Sequence, residues 1–142
     1  MAYKGQPVPS SVHNIGYGKI SDGKSVRVTV PGGTTIEAGK FYLLDGFLGC
    51  AQSVQTGPGQ IAEVILNIEQ AEYDTNQIDT DQNQNFTKGT LIYWDDANKW
   101  FTGNAQRNAG GNAVPNRLAG RVTQAKDSKG VICFILGPQV VV

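Results

Sequence analysis

The chain has 142 residues, enough for one domain with a buried core, and its 12 basic and 12 acidic side chains give a formal net charge of zero. This balance argues against a general nucleic-acid binder and against a basic membrane-surface protein, because both depend on an excess of positive charge. No apolar run approaches the roughly 20 residues of a membrane-spanning helix, so no membrane partner is expected. With 18 glycines and abundant valine, isoleucine and threonine, the composition predicts an all-β fold with many turns.

Residues 1–23 are predicted to form an extended N-terminal arm, and residues 24–142 to form the β domain. The arm contains two prolines and several glycines, has no periodicity, and lacks the apolar segment of a signal peptide. Its apolar side chains exceed those of a typical solvated tail; they are Tyr3, Val8, Val12, Ile15, Tyr17 and Ile20. Two interpretations stay open: an arm that docks on a neighbouring molecule through these residues, or an unstructured tail. The single histidine, His13, lies in the arm, so neither a catalytic triad nor a histidine metal site is expected.

Residues 18–25, "GKISDGKS", match the phosphate-binding loop pattern G-x-x-x-x-G-K-[ST]. Such a loop binds phosphate through the N-terminus of the helix that follows it. Here the following segment, "SVRVTV", places Val26, Val28 and Val30 at every second position, which predicts a strand. We therefore expect no nucleotide to bind at this loop.

Further strands are predicted from apolar runs and turn residues along the chain. "FYLLDGFLGCAQSV" indicates a hairpin about Asp45 and Gly46, and "GTLIYWDDANKWFTG" indicates a second hairpin. "GQIAEVILNIEQAEY" fits both helical spacing and alternation, and its β-branched residues favour a strand. "GNAQRNAGGNAVPN" is predicted to be a long flexible loop, followed by two final strands in "RLAGRVTQ" and "GVICFILG".

Several polar groups lie in patterns that resemble sites of chemistry, but none is predicted to act as one. The alternating residues Asp79, Asp81, Asn83 and Asn85 resemble the start of a calcium loop, but glutamine and threonine occupy the positions that need glycine and glutamate. Asp95 and Asp96 are adjacent in a turn and are expected to face solvent on opposite sides. Cys50 and Cys133 are expected to be reduced thiols in the core. No catalytic residue, metal or cofactor is therefore expected.

Aromatic residues cluster in the second predicted hairpin, which contains Tyr93, Trp94, Trp100 and Phe101. One interpretation is a structural hairpin core, in which Tyr93, Trp94 and Trp100 pair across strands and fill a small interior. The other interpretation is a platform on which a sugar ring stacks. Burial of the tryptophans distinguishes these two possibilities.

The order of these segments, over about residues 26–136, resembles the small capsid decoration (cement) proteins of tailed bacteriophages. That family typically shows a Gly-x-apolar-x-Tyr-Trp-Asp segment, matched here from Gly89 to Asp95. Later in the family sequence a Leu or Ile is followed by Gly and a Val-containing strand, matched here by Leu118, Gly120 and Val122, before a final apolar strand. This chain departs from the family in its longer N-terminal arm and its two Asn/Gln-rich loops.

The resemblance implies a small β-barrel or β-tulip-like domain that binds the outer surface of a phage head and stabilises the shell without enzymatic activity. It also implies the major capsid protein and further copies of the same chain as partners, in a homotrimer of the kind that many related cement proteins form. The chain would then be made in the host cytoplasm and reside on the virion. A carbohydrate-binding or host-adhesion β module of the phage head or tail is the alternative that stays open.

Overall fold

The computed structural model describes residues 17–52 and 62–140, and over these residues the fold is all-β, as predicted. The described part contains eleven strands and no helix. The strands are β1 (Ser25–Val30), β2 (Phe41–Leu44), β3 (Phe47–Ala51), β4 (Ala62–Asn67), β5 (Glu72–Thr75), β6 (Leu91–Asp95), β7 (Trp100–Thr102), β8 (Gln106–Ala109), β9 (Asn112–Pro115), β10 (Arg117–Gln124) and β11 (Ile132–Leu136).

A curled four-stranded antiparallel sheet has the order β1-β4-β3-β2. The predicted hairpin at its edge is confirmed: β2 and β3 are joined by Asp45 and Gly46, whose φ angles of 51° and 84° match a two-residue turn with the twist of the strands. The N–H of Thr29 in β1 donates to Asp45 Oδ2 at 2.8 Å. This bond joins the β1 edge to the β2–β3 turn, so the sheet curls towards closure.

A five-stranded antiparallel sheet has the order β5-β11-β10-β6-β7 and contains the second predicted hairpin, β6–β7, and the two predicted final strands. The register between β10 and β6 shifts between Leu118 and Gly120. A Cβ atom at Gly120 would lie 2.0 Å from the carbonyl oxygen of Ile135. Only glycine therefore allows β11 to approach β10 this closely.

The β2–β3 hairpin is buried on both faces, because alternate side chains enter two different cores. Phe41 and Leu48 pack against the inner face of the five-stranded sheet, where the buried side chains also include Ile92, Trp94, Phe101, Val122, Ile132, Phe134 and Leu136. Ala51, on the opposite face, packs inside the curled sheet with Val28, Val30, Ile36, Val64 and Leu66. The hairpin thus holds the two sheets together.

The segment of residues 103–116, predicted to be a flexible loop, instead forms the two-stranded hairpin β8–β9, so that prediction was wrong. Gly110 and Gly111 have φ angles of 61° and 90°, which suit a tight hairpin turn. Most residues of both strands are exposed, so the sequence lacks the apolar alternation that marks a half-buried strand.

Residues 59–73, whose sequence fits both a helix and a strand, form β-structure where they are described, as their β-branched residues favoured. Residues 59–61 lie outside the described residues. It does not form one strand, however. β4 belongs to the curled sheet, whereas β5 pairs with β11 in the other sheet. The chain therefore crosses between the sheets at residues 68–71.

Candidate interaction surface

The root of the N-terminal arm leaves the surface of the domain. Tyr17 and Ile20 are 107% and 73% exposed, and the nearby charges of Lys19 and Asp22 form an ion pair at 2.8 Å. Two predicted arm residues thus project into solvent. The other predicted arm residues, Tyr3, Val8, Val12 and Ile15, lie outside the described residues, as does His13.

The segment that matches the phosphate-loop pattern leads into a strand, as predicted, because β1 begins at Ser25. The ammonium group of Lys24, the lysine of the pattern, lies 3.6 Å from a carboxylate oxygen of Glu69. The structure therefore gives this segment neither a helix N-terminus nor a lysine directed at a vacant phosphate site.

The outer face of the five-stranded sheet carries an exposed apolar patch on three neighbouring strands. Leu91 in β6, Leu118 in β10 and Ile135 in β11 are 39%, 40% and 47% exposed. The solvent-facing side of an antiparallel sheet normally carries polar residues at such positions. We call this set of three side chains the outer apolar face.

A groove of about 400 Å³ crosses the outer apolar face. Gly120, which has no side chain, also lines this groove, together with Arg121 and Pro138. Arg121 lies opposite both Leu91 and Ile135 in the strand register, and its Nη1 donates to the carbonyl oxygen of Gly89 at 2.6 Å. The groove is therefore apolar with one cationic group among its lining residues.

A second surface depression continues from this groove towards the arm root. Gln70 and Pro138 line both depressions, and the second one is also lined by residues 22–24 and by Val140. Val140 is 88% exposed and adds to the apolar surface at this end. The outer apolar face and the root of the arm thus belong to one continuous surface, which we call the arm-root groove.

Trp94 is completely buried, whereas Tyr93 and Trp100 are partly buried. The Trp94 ring packs edge-on against Phe101 with a centroid distance of 4.9 Å, and its Nε1 donates to Asp96 Oδ1 at 3.1 Å. A ring enclosed in this way has no free face on which a sugar could stack. Among the described residues, the Trp100 Nε1 is a buried donor without a partner.

Asp95 does not face solvent, so that prediction was wrong for this residue, which is 5% exposed. Its carboxylate accepts hydrogen bonds from the N–H groups of Ala97 and Asn98 and from Asn98 Nδ2, and it lies 3.9 Å from Arg107 Nε. Burial raises the pKa of Asp95, but the bonds from Asn98 and Ala97 and the charge of Arg107 outweigh burial and lower the pKa overall. Asp95 therefore closes the β6–β7 turn.

Asp96 is engaged separately from its neighbour, because it accepts bonds from Trp94 and from Lys99 Nζ, the latter at 2.8 Å. The two adjacent carboxylates thus bind different groups and are not hydrogen-bonded to a common partner. The calcium-like loop is likewise engaged internally. Asp79 is buried and accepts bonds from Thr102 Oγ1 and from the Asp81 N–H.

No group of three or more His, Cys, Asp or Glu side chains that could hold a metal occurs in residues 17–52 and 62–140. Cys50 and Cys133 are free thiols, as expected, but both are half-buried and not fully enclosed in the core. Burial raises the pKa of each thiol, which keeps them in the less reactive protonated form.

The outer apolar face was not identified from the sequence, although the sequence contains a signal for it. "ICFIL" in β11 is apolar at every position, so the strand must present apolar side chains on both faces of the sheet. Ile132, Phe134 and Leu136 fill the core, which leaves Ile135 on the outside. The alignment of Ile135 with Leu91 and Leu118 depends on the pairing of distant strands, which the sequence does not reveal.

Comparison with known proteins gives one match. The sequence model of a family described as phage cement protein matches residues 20–137, which is most of the chain. No curated protein and no solved structure matches the chain significantly. In the part of the chain that the structure describes, no helix has the length and apolar character needed to cross a membrane.

Proposed function

The chain belongs to the phage cement protein family, and from this we propose that it binds the outer surface of a tailed-phage head and stabilises the shell. Family membership makes it a capsid-associated structural protein of a bacteriophage. The family match over residues 20–137 is the observation that carries the proposal. The outer surface, the stabilising effect and the absence of enzymatic activity are parts of the proposal.

The described residues support a structural role in two ways. The two sheets enclose two apolar clusters joined by one hairpin, as expected of a domain that must keep its shape on a shell. Asp79 of the calcium-like loop and the adjacent carboxylates Asp95 and Asp96 are engaged in hydrogen bonds that fix turns and loops. These carboxylates therefore stabilise the fold.

We propose the major capsid protein and further copies of this chain, in a homotrimer, as partners. The arm of residues 1–23 connects the β domain of residues 24–142 to these neighbours through Tyr3, Val8, Val12, Ile15, Tyr17 and Ile20. Ordering an arm costs about 1–2 kcal/mol of backbone entropy per residue, so it becomes fixed only where a partner buries its apolar side chains. Many copies on one lattice strengthen weak individual contacts by avidity. Synthesis takes place in the host cytoplasm, before the protein binds the head.

A carbohydrate-binding or host-adhesion module receives less support. Trp94 is enclosed in the core, and the polar depression beside Trp100 is lined by Asp79 and Asp95, whose carboxylates already accept internal bonds. A sugar would have to displace these bonds to reach the carboxylates. Binding of the full chain to a glycan array is the observation that favours this alternative.

Binding to heads tests the proposed function. The purified full chain is mixed with heads of the phage that encodes it, assembled without this protein, and the mixture is separated by density-gradient centrifugation. We expect saturable co-sedimentation and a higher temperature of head disruption in the decorated sample. A chain that stays at the top of the gradient at all concentrations, while the heads are intact, contradicts the proposal.

A further inference from the structure

We propose that the outer apolar face, formed by Leu91, Leu118 and Ile135, receives the N-terminal segment of a second copy of this chain, residues 1–16. The inference rests on the proposed function in taking the arm as an element that binds neighbours. It adds the surface on which the arm binds and the molecule that provides that surface.

The exposed large apolar side chains of the described residues point to this surface. Leu91, Leu118 and Ile135 lie on adjacent strands and line one groove, and Val140 lies in the depression that continues it. Clustered apolar exposure of this kind marks an interaction site, whereas scattered apolar residues do not. The outer apolar face is therefore suited to bind a partner.

The end of the described chain indicates which segment covers the groove. The arm-root groove is lined at one end by residues 22–24, so the chain N-terminal to Asp22 begins beside the groove. Sixteen residues precede Tyr17, and when extended they reach roughly 50 Å. A domain of this size has a radius of gyration of roughly 14 Å. The arm is therefore long enough to reach the same groove on an adjacent copy.

The exposure of the arm root favours a neighbouring copy over the arm's own domain as the partner of the arm. Tyr17 and Ile20 are 107% and 73% exposed, so neither of these apolar side chains is buried against its own domain. The ion pair between Lys19 and Asp22 lies within this departing segment. Among the described residues, Leu91, Leu118 and Ile135 of the outer apolar face are 39–47% exposed, so this face is accessible to the arm of another copy.

The chemistry of the arm matches that of the groove. Residues 1–16 carry Val8, Val12 and Ile15, and their ionisable side chains are few. Pro7 and Pro9 favour an extended backbone and reduce the entropy lost when the segment is fixed in a groove. In an extended segment Val8 and Val12 lie on the same side of the chain, because an even number of positions separates them, so both can contact an apolar sheet face.

Transfer of an arm from each copy to the next is a heterologous contact, in which different surfaces of the two copies meet. Such contacts close into rings when the rotation between copies allows it. A ring of three copies fits the proposed homotrimer, with each groove filled by one arm.

Photo-crosslinking of the full chain tests the proposal. A photo-crosslinking amino acid replaces Ile135 in isotopically light chain, which is mixed with heavy unmodified chain and irradiated. Mass spectrometry is expected to find cross-links from position 135 to residues 1–16 of heavy chains. Cross-links only within one chain, cross-links to other segments of the second copy, or a complete absence of cross-links overturn the proposal.

Sedimentation velocity of two variants provides an independent test. We expect Leu118→Arg and Ile15→Arg each to weaken self-association at least tenfold, while Ala113→Arg, on an exposed strand outside the groove, leaves it unchanged. Since Ile15 lies in the arm, its variant keeps the test valid even if Leu118→Arg fails to fold. Unchanged self-association of Ile15→Arg, or a monomeric unmodified chain, contradicts the proposal.

The outcomes for this inference and for the proposed function are distinguishable, because head binding is measured separately. If arm cross-links form but the chain does not bind heads, the arm site stands and the proposed function fails. If the chain decorates heads but position 135 gives no cross-links to residues 1–16, the function stands and this inference fails.

Discussion

The side-chain amide of Gln139 pairs with the main chain of Leu48 in both directions. The Leu48 N–H donates to Gln139 Oε1, and Gln139 Nε2 donates to the Leu48 carbonyl oxygen, both at 2.9 Å. β3 pairs with β4 only at Cys50 and Ala51, so the glutamine takes the place of the missing strand at Leu48. Gln77 pairs with Phe41 in the same way, with distances of 2.7 and 3.1 Å. Gln77 and Gln139, which follow β5 and β11 of the five-stranded sheet, thus bind the β2–β3 hairpin of the four-stranded sheet.

We predict that Gln139→Ala destabilises the fold. The substitution leaves the N–H and the carbonyl of Leu48 without their partners, and an unsatisfied buried polar group costs about 1–3 kcal/mol. Denaturant unfolding measures the free energy of unfolding. Gln82→Ala, at an exposed loop position, is the matched control and should change this free energy by less than about 0.5 kcal/mol. Equal stability of the two variants would show that the amide pairing contributes nothing.

Gly120→Ala is expected to be strongly destabilising, because its Cβ would meet the main-chain oxygen of Ile135 at 2.0 Å. The backbone cannot move aside as a flexible side chain can, so we expect the free energy of unfolding to fall by about 1–3 kcal/mol or more. Gly103→Ala is the control, since its Cβ would meet the flexible end of Gln84 at 2.9 Å. Thermal unfolding should show a much lower midpoint for the Gly120 variant. Similar midpoints for both variants would contradict the close approach of β10 and β11.

Trp94→Ala should lower the free energy of unfolding by about 3–5 kcal/mol, the usual range for truncating a fully buried tryptophan to alanine. The side chain is completely enclosed and packs against Phe101. Tyr93→Ala, on the partly exposed face of the same strand, should cost clearly less. Unfolding in denaturant at pH 7 compares the two variants. If Trp94→Ala kept full stability but abolished binding to a glycan, the carbohydrate-binding alternative would replace the present account.

Asp95 makes the stability dependent on pH. Its pKa is lowered in the folded state, so the ionised carboxylate stabilises the fold above the unfolded-state pKa of about 3.9. That stabilisation is lost as the pH falls through the lower pKa of the folded state. We expect Asp95→Asn to be less stable than the unmodified chain at pH 7, and the difference to shrink below about pH 4. A difference that stays constant from pH 7 to pH 2.5 would contradict this role.

The hairpins that depend on local turn chemistry could be predicted from the sequence. Asp45 and Gly46 both adopt positive φ angles, and the Asp-Gly pair is a strong signal for this turn. The β8–β9 hairpin has a comparable Gly110-Gly111 turn, but its strands are largely exposed and carry no apolar alternation. The Gly-Gly turn signal alone therefore does not distinguish this hairpin from a loop.

Features that depend on distant residues could not be predicted. The pairing of β1 with β4, which aligns Val28 with Val64, closes a connection of more than 30 residues. The outer apolar face also requires β6, β10 and β11 to become neighbours. Asp95 was expected in solvent because the sequence does not show that Arg107, from the exposed hairpin, approaches its carboxylate.

Cryo-electron microscopy of heads decorated with the full chain tests the central claim most directly. We expect additional density on the outer surface of the shell, in clusters of three that each fit the two-sheet domain. Heads incubated without the chain should lack this density. If heads incubated with the chain and heads incubated without it have the same outer surface, a role in capsid decoration is contradicted. Density for the chain only on the tail would also contradict this role.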